Sequence, residues 1–297
     1  MRISSKHLIF EMDKNHSPVA TCQSGDTVTF ECCDCFSNTV LTSEDVVSKI
    51  DFSQVNPATG SLYIKDAKAG DILAVKIEKI EIGNQGAIVT APGLGTLSDY
   101  IEQEETVICK VEGDIVRYFD YEIPLTKMIG VIGVAPAGEP VPTGVPHDHG
   151  GNMDTTLIKE GSTLYLPVNV DGALLSMGDC HAAMGDGEIM GSGIEVAADV
   201  TVTVEVIKDV SLPLPLVETE TTISTLASRL TMEEASKLAI YNMATLITEK
   251  TDLSLQQAGM LLSAVGQLQV SQVVDPNVTM RMTLDKKYLK LDNNSLC

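Results

Sequence analysis

Over most of the first 210 residues, apolar side chains recur at every second position between loops rich in glycine and proline. Val200, Val202, Val204 and Val206 alternate with Thr201, Thr203 and Glu205, and Asp26 to Glu31 alternates around Val28 and Phe30. From Asp71 to Ile82, Ile72, Ala74 and Lys76 fall on one parity and Leu73, Val75 and Ile77 on the other. Successive side chains of an extended chain point to opposite faces, so a period of two predicts strands with one face buried and one wet. Many short strands with glycine punctuation favour a sandwich or barrel over an α/β layer fold.

The tail breaks this rhythm. Thr231 to Lys250 reads as an amphipathic helix with Leu238, Tyr241 and Ile247 among its apolar positions, and Thr231 with Glu234 forms a capping-box pattern. A second helix is expected from Ser254 to about Gln267, opened by Ser254 and Gln257, with Ala258, Leu261, Leu262 and Val265 at helical spacing. Gln269 to Val274 then reads as a strand ended by Asp275-Pro276. The expected architecture is therefore mainly β: a sandwich- or barrel-like core over residues 1–210, and a small α+β element, a helical pair plus strand, over 211–297. The acidic, proline-containing stretch from Leu212 to Thr222 is the expected joint.

Composition narrows the partners. The 41 acidic and 20 basic residues leave a formal net charge of −21. Neutralising phosphates requires lysine and arginine clusters, and none appears, so nucleic acid and anionic membrane surfaces are excluded as expected partners. Aromatic residues make up 4% and Trp is absent, which also argues against a platform for stacking bases. No signal-peptide pattern opens the chain, and no apolar run is long enough to span a bilayer. Seven cysteines, three of them crowded at Cys32, Cys33 and Cys35, suit reduced thiols in a cytoplasmic protein better than a disulfide framework.

Reactive residue types concentrate in two glycine-rich stretches. One reads Gly144-Val-Pro-His-Asp-His-Gly-Gly-Asn-Met-Asp154, the other Met177-Gly-Asp-Cys-His-Ala-Ala-Met-Gly-Asp-Gly-Glu188. Both read as loops, and a strand pattern at Thr163 to Asn169 lies between them, so antiparallel pairing would carry them to one end of a sheet. Imidazole nitrogen, carboxylate oxygen and glycine are what a divalent site needs. Zinc suits such a mixed set, and calcium an oxygen-only site. The same residues also make ordinary polar turns.

Gly133-Val-Ala-Pro136, His149-Gly-Gly-Asn-Met-Asp154, Gly178 to Glu188 and the closing Ser271-Gln-Val-Val-Asp-Pro276 together resemble the hallmark blocks of the acetamidase/formamidase family. The resemblance implies a β-rich, usually oligomeric cytoplasmic enzyme that hydrolyses a small neutral amide and releases ammonia. It leaves the acyl group open and transfers no residue-by-residue mechanism.

Amide hydrolysis needs a polarised carbonyl, a nucleophilic water and a proton for the leaving nitrogen, and a bound metal with a nearby carboxylate supplies all three. On that chemistry His149, Asp154 and His181 are the expected metal ligands, against a role in turns. His147 is set aside as a bystander. Glu188 is the expected general acid/base, against a salt bridge at a strand entrance. Glu195 is expected as a ligand or acid/base, against an outward-facing strand position, because a carboxylate in the apolar run Gly193-Ile-Glu-Val-Ala is costly unless paired or bound. Asp34, after an early strand, is a third acid expected to reach the site. Asp179 and Asp186 are expected to orient a ligating imidazole or to make turns. Two alternatives stay open: a non-catalytic metal- or ligand-binding sandwich, and a cysteine-nucleophile amidase using Cys180.

Overall fold

The computed structural model describes residues 1–290 and Leu296. Two large sheets share one hydrophobic cluster. The first has nine strands, in the order Arg2–Ile3, Thr27–Cys32, Ala198–Ile207, Ile72–Ile82, Thr163–Pro167, Leu216–Glu218, Thr222–Arg229, Val278–Asp285 and Gln267–Gln272. The second has eleven. Its main path runs Tyr121–Pro124, Ile115–Tyr118, Glu105–Glu112, Gln85–Thr90, Ile194–Val196, Leu175–Ala183, Met128–Gly133 and Gly150–Asn152, and Ala58–Ile64 branches from Leu175–Ala183. Val28, Phe30, Val75, Val200 and Val202 of the first sheet meet Leu62, Ile129, Met177, Cys180 and Val196 of the second in the shared core.

The valine ladder behaves as its period requires. Val200, Val202 and Val204 are fully buried, and on the wet face Thr201 and Thr203 hydrogen-bond Thr29 and Thr27 of the neighbouring strand at 2.9 and 3.1 Å. Ile72–Ile82 departs from the half-wet expectation. Leu73, Val75 and Ile77 face the sandwich core, but Ile72 and Ala74 are buried as well, in a second cluster against the helices. The pairing then shifts register between Lys79↔Thr201 and Ile77↔Val202, so Glu78 is the extra residue of a bulge that turns Ile80 back into the core.

The helices are Met232–Lys250 and Leu255–Val265. The Thr231 side chain accepts from the Glu234 amide, and Ser254 with Gln257 completes a reciprocal capping box. The first helix buries Ala239, Met243, Leu246 and Ile247 rather than Tyr241, which is exposed. The last strands extend the nine-stranded sheet rather than forming one of their own: Leu216–Glu218 pairs with Thr163–Pro167, and Thr222–Arg229 pairs with Val278–Asp285. Among the described residues no helix is long and apolar enough to cross a membrane.

Candidate functional site

The second glycine-rich stretch is not a loop at its start. Leu175–Ala183 is a wholly buried strand held between Met128–Gly133 and Ile194–Val196, while the separating strand Thr163–Pro167 lies in the other sheet. Leu175 and Met177 face the sandwich core, and then Cys180 and Ala182 do. The parity changes at Asp179, whose φ of 53° lies in the left-handed region. That switch turns Asp179 and His181 together to the opposite face.

Glu195 sits directly across from His181 in the neighbouring strand, and its Oε2 lies 3.1 Å from His181 Nε2. Asp179 Oδ1 stands 3.5 Å and Asp154 Oδ1 3.9 Å from the same nitrogen. Asp154 follows the strand Gly150–Asn152, and the loop after Ala183 returns Glu188 to the cluster. Asp154 and Glu188 also adopt left-handed backbone, with φ of 40° and 47°. Three unfavourable backbone conformations at three acids of one site are strain that the surrounding structure has to hold in place.

Two glycines make room. A Cβ at Gly130 would collide with Asp154 Oδ1 and Asp179 Oδ2, and one at Gly193 would stand 2.7 Å from His181 Nδ1. The C-terminal strand closes the site. Asp275 accepts a hydrogen bond from Asn152, and Gln272 Oε1 accepts from the amides of Val274 and Asp275, which fixes that turn. Gly187 exchanges backbone hydrogen bonds with Ser271 and Val273, so the Glu188 loop is tied to the same strand.

The electrostatics are one-sided. Among the described residues, Asp154, Asp179, Glu188, Glu195 and Asp275 have no lysine or arginine within ion-pair distance. Burial pushes the Asp154, Glu188 and Asp275 carboxyls well above the usual range, with neighbouring acids adding to the shift. Burial also raises Glu195, to about 7. Burial opposes a charged His181, yet Glu195 and Asp179 outweigh it and hold the imidazole well above its ordinary pKa.

Several sealed atoms lack a well-aligned hydrogen bond within the protein: both oxygens of Asp154, Asp179 Oδ1, Glu195 Oε2, Asp275 Oδ2 and both ring nitrogens of His181, although Glu195 and Asp179 approach the ring. Native interiors rarely leave such groups unpaired. Asp154, His181 and Glu188 each present a ligand atom within 4.8 Å of the others, as do Cys35, Asp179 and Glu195. Orphaned oxygens and an imidazole nitrogen around a common centre, with excess negative charge, fit a divalent cation.

The sequence-expected residues divide. Asp154, His181, Asp179, Glu188 and Glu195 come together. His149 does not join them: it is buried with Nε2 unpaired, and burial together with His147 lowers its pKa to about 4. Asp186 points outward, bonded to Arg281 and Thr156. Asp34 spends Oδ1 on the amides of Phe36 and Asn38, so it shapes the turn that delivers Cys35. Asp275, Asn152, Cys35, Gly130 and Gly193 were not anticipated. Of these, Asp275 had a signal, an acid closing the apolar run Val273-Val274 before proline. Cys180 lies in the sandwich core, with no exposed surface and on the face opposite His181.

A cavity of about 400 Å³ opens onto Asp179, Glu188, Glu195 and Asp275. Beyond these acids its wall is mostly apolar, including Phe36, Val47, Ile50, Val89 and Leu94.

The model of the Acetamidase/Formamidase family matches residues 12–143 and 137–289. An acetamidase from Bacillus halodurans shares the fold with a TM-score of 0.96 at 49% identity, over 98% of this chain and 99% of that one. A predicted acetamidase/formamidase from Thermoanaerobacter tengcongensis gives 0.95 at 43% identity, over 97% and 96%. A formamidase of Methylophilus methylotrophus is 26% identical over 64% of this chain, and the match spans 62% of that relative's length.

Proposed function

The chain belongs to the acetamidase/formamidase family, and from that premise we propose that it hydrolyses small neutral aliphatic amides to a carboxylate and ammonia with the help of a divalent cation. The observation that carries this reading is the ring of buried ligand atoms around His181, whose neighbours Asp179, Glu188 and Glu195 line a cavity of about 400 Å³. Asp154, His181 and Glu188 would hold the cation. The imidazole nitrogen favours zinc over calcium, which takes oxygen alone. Such an ion supplies Lewis acidity toward the carbonyl and lowers the pKa of water.

The chain's own residues supply the rest. Glu195, at about 7, suits taking a proton from water and returning it to the leaving nitrogen near neutral pH. Ser192 Oγ donates to Glu195 Oε1 at 3.3 Å and keeps that carboxylate turned toward His181. Asp179 beside His181 orients the ring, and Gln272 holds the turn carrying Asp275 against the cavity. The apolar wall limits bulk water.

The cysteine alternative finds no support. Cys180 is enclosed in the core, and burial, with the surrounding acids, pushes the Cys35 thiol pKa well up, the opposite of what a nucleophilic thiolate needs. The test pairs metal analysis of the purified protein with ammonia release from formamide and acetamide. Stoichiometric metal and turnover lost on chelation are expected. Turnover that survives complete removal of metal would overturn the cation's role, and silence toward every amide would overturn the activity.

A further inference from the structure

We infer that the preferred substrate carries an uncharged aliphatic acyl chain of about four to six carbons, longer than that of formamide or acetamide. The inference rests on the amidase reading of the site and adds to it the shape of the acyl group.

At roughly 30 Å³ for each water-sized group, the four heavy atoms of acetamide would occupy about 120 Å³. The cavity measures about 400 Å³. The remaining space is not polar. Phe36 and Val89 belong to a hydrophobic cluster distinct from the sandwich core, packed with half-buried Val47, Ile50 and Leu94, and all five line the cavity. A satellite core whose side chains face an open chamber is what an aliphatic tail requires.

The polar groups are segregated. Asp179, Glu188, Glu195 and Asp275 gather where the amide must react, and no lysine or arginine lines the chamber among the described residues. A chain ending in a carboxylate would meet apolar walls with no cation to receive it, and four acids would repel it. Primary amides of aliphatic acids fit both ends: the amide at the acids, the methylenes against Phe36 and Val89.

The test is a chain-length series. Ammonia release is measured for formamide, acetamide, butanamide, hexanamide and the charged succinamate. Each buried methylene should raise kcat/KM about three- to fourfold, so butanamide should exceed acetamide by about tenfold, with succinamate below acetamide. Val55→Phe, at a half-buried position on the chamber wall, should abolish the gain with length while leaving acetamide within about threefold. A merely structural effect would lower all substrates alike. Calorimetry with n-alkanols from methanol to hexanol probes the chamber without turnover. Affinity that rises with length supports the inference even if no amide is hydrolysed, in which case the amidase reading alone fails. Turnover greatest with formamide and falling at each methylene, with flat alkanol affinity, overturns the inference and leaves the amidase reading standing.

Discussion

The helical layer buries Ala239, Met243, Leu246 and Ile247 against Ile223, Ala227 and Met282 of the sheet, and where a polar group enters it is satisfied: Thr225 donates to the Ala239 carbonyl at 2.7 Å. Around His181, burial is just as complete, but five acids share one imidazole, several of their oxygens have no partner, and three of them sit on left-handed backbone. The first region lowers the free energy of the fold. The second raises it until something binds. One sheet system therefore holds both a source of stability and a site kept under strain, and substitutions should sort by which of the two they touch.

The largest effect is expected at the strained site. His181→Ala or Asp154→Asn should reduce bound metal and lower turnover by at least about a thousandfold, roughly 4 kcal/mol of barrier. The metal-free melting temperature should hold or rise for Asp154→Asn, which neutralises a buried carboxylate, and should fall for His181→Ala, which removes the one imidazole facing the acids. Gly130→Ala should likewise lower bound metal and turnover by displacing Asp154 and Asp179, although it adds only a methyl, and the clash should lower the melting temperature. Metal analysis, steady-state kinetics and thermal unfolding on each variant decide this. A variant that keeps its metal and loses only stability would dissolve the contrast between the regions.

Leu246→Ala tests the opposite region. A fully buried leucine replaced by alanine costs about 2–5 kcal/mol of stability, and denaturant unfolding should show that loss. Metal content and kcat/KM of the surviving folded protein should stay unchanged.

Acidity sharpens the comparison further. Glu195 is raised from 4.5 to about 7 in the folded state, chiefly by burial. The native protein thus retains a proton that the unfolded chain releases, so this stabilisation is present below about 4.5 and is lost as pH rises through about 7. The gap corresponds to roughly 3 kcal/mol, and Asp154 and Glu188 shift in the same direction. Metal-free protein should melt lower at pH 8 than at pH 6, and a divalent cation should restore most of the difference. A metal-free melting temperature that rises over that interval would contradict the assignment of these acids as a repulsive cluster.

These regions also differed in how legible they were. Val200 to Val206 could be read because one strand suffices to show a period of two. Ser254 with Gln257 could be read because a cap is local. Asp179 and His181 looked like loop because the left-handed residue breaks the alternation, so Leu175, Met177, Cys180 and Ala182 no longer fall on one parity. Gly130 carries no local sign of its role, and Asp275 only that of an acid closing the apolar run Val273-Val274 before proline. They matter through cross-strand and cross-loop proximity, which no spacing encodes. His149 shares a glycine-rich stretch with Asp154, but the group of ligand atoms that gathers Asp154, His181 and Glu188 does not include it.

The smallest effect is expected at Cys180, and it bears on mechanism because the residue adjoins His181 in sequence. Strand geometry turns the two side chains to opposite faces, and the Cys180 thiol lies among core residues with no exposed surface. Its thiol is held well above its ordinary pKa by a hydrogen bond with Cys32 and by burial. Cys180→Ala removes one sulfur from a packed core, costing about 1 kcal/mol of stability. It removes no reacting group, so turnover should stay within about tenfold, roughly 1.4 kcal/mol of barrier. Thiol alkylation would be a poorer probe, since a bulky adduct in the sandwich core would unfold the strand that carries His181. Alanine adds no bulk. If turnover instead falls by several orders of magnitude while metal content and unfolding remain those of the parent protein, the sulfur takes part in the reaction. In that case the two faces of this strand would no longer divide structure from chemistry.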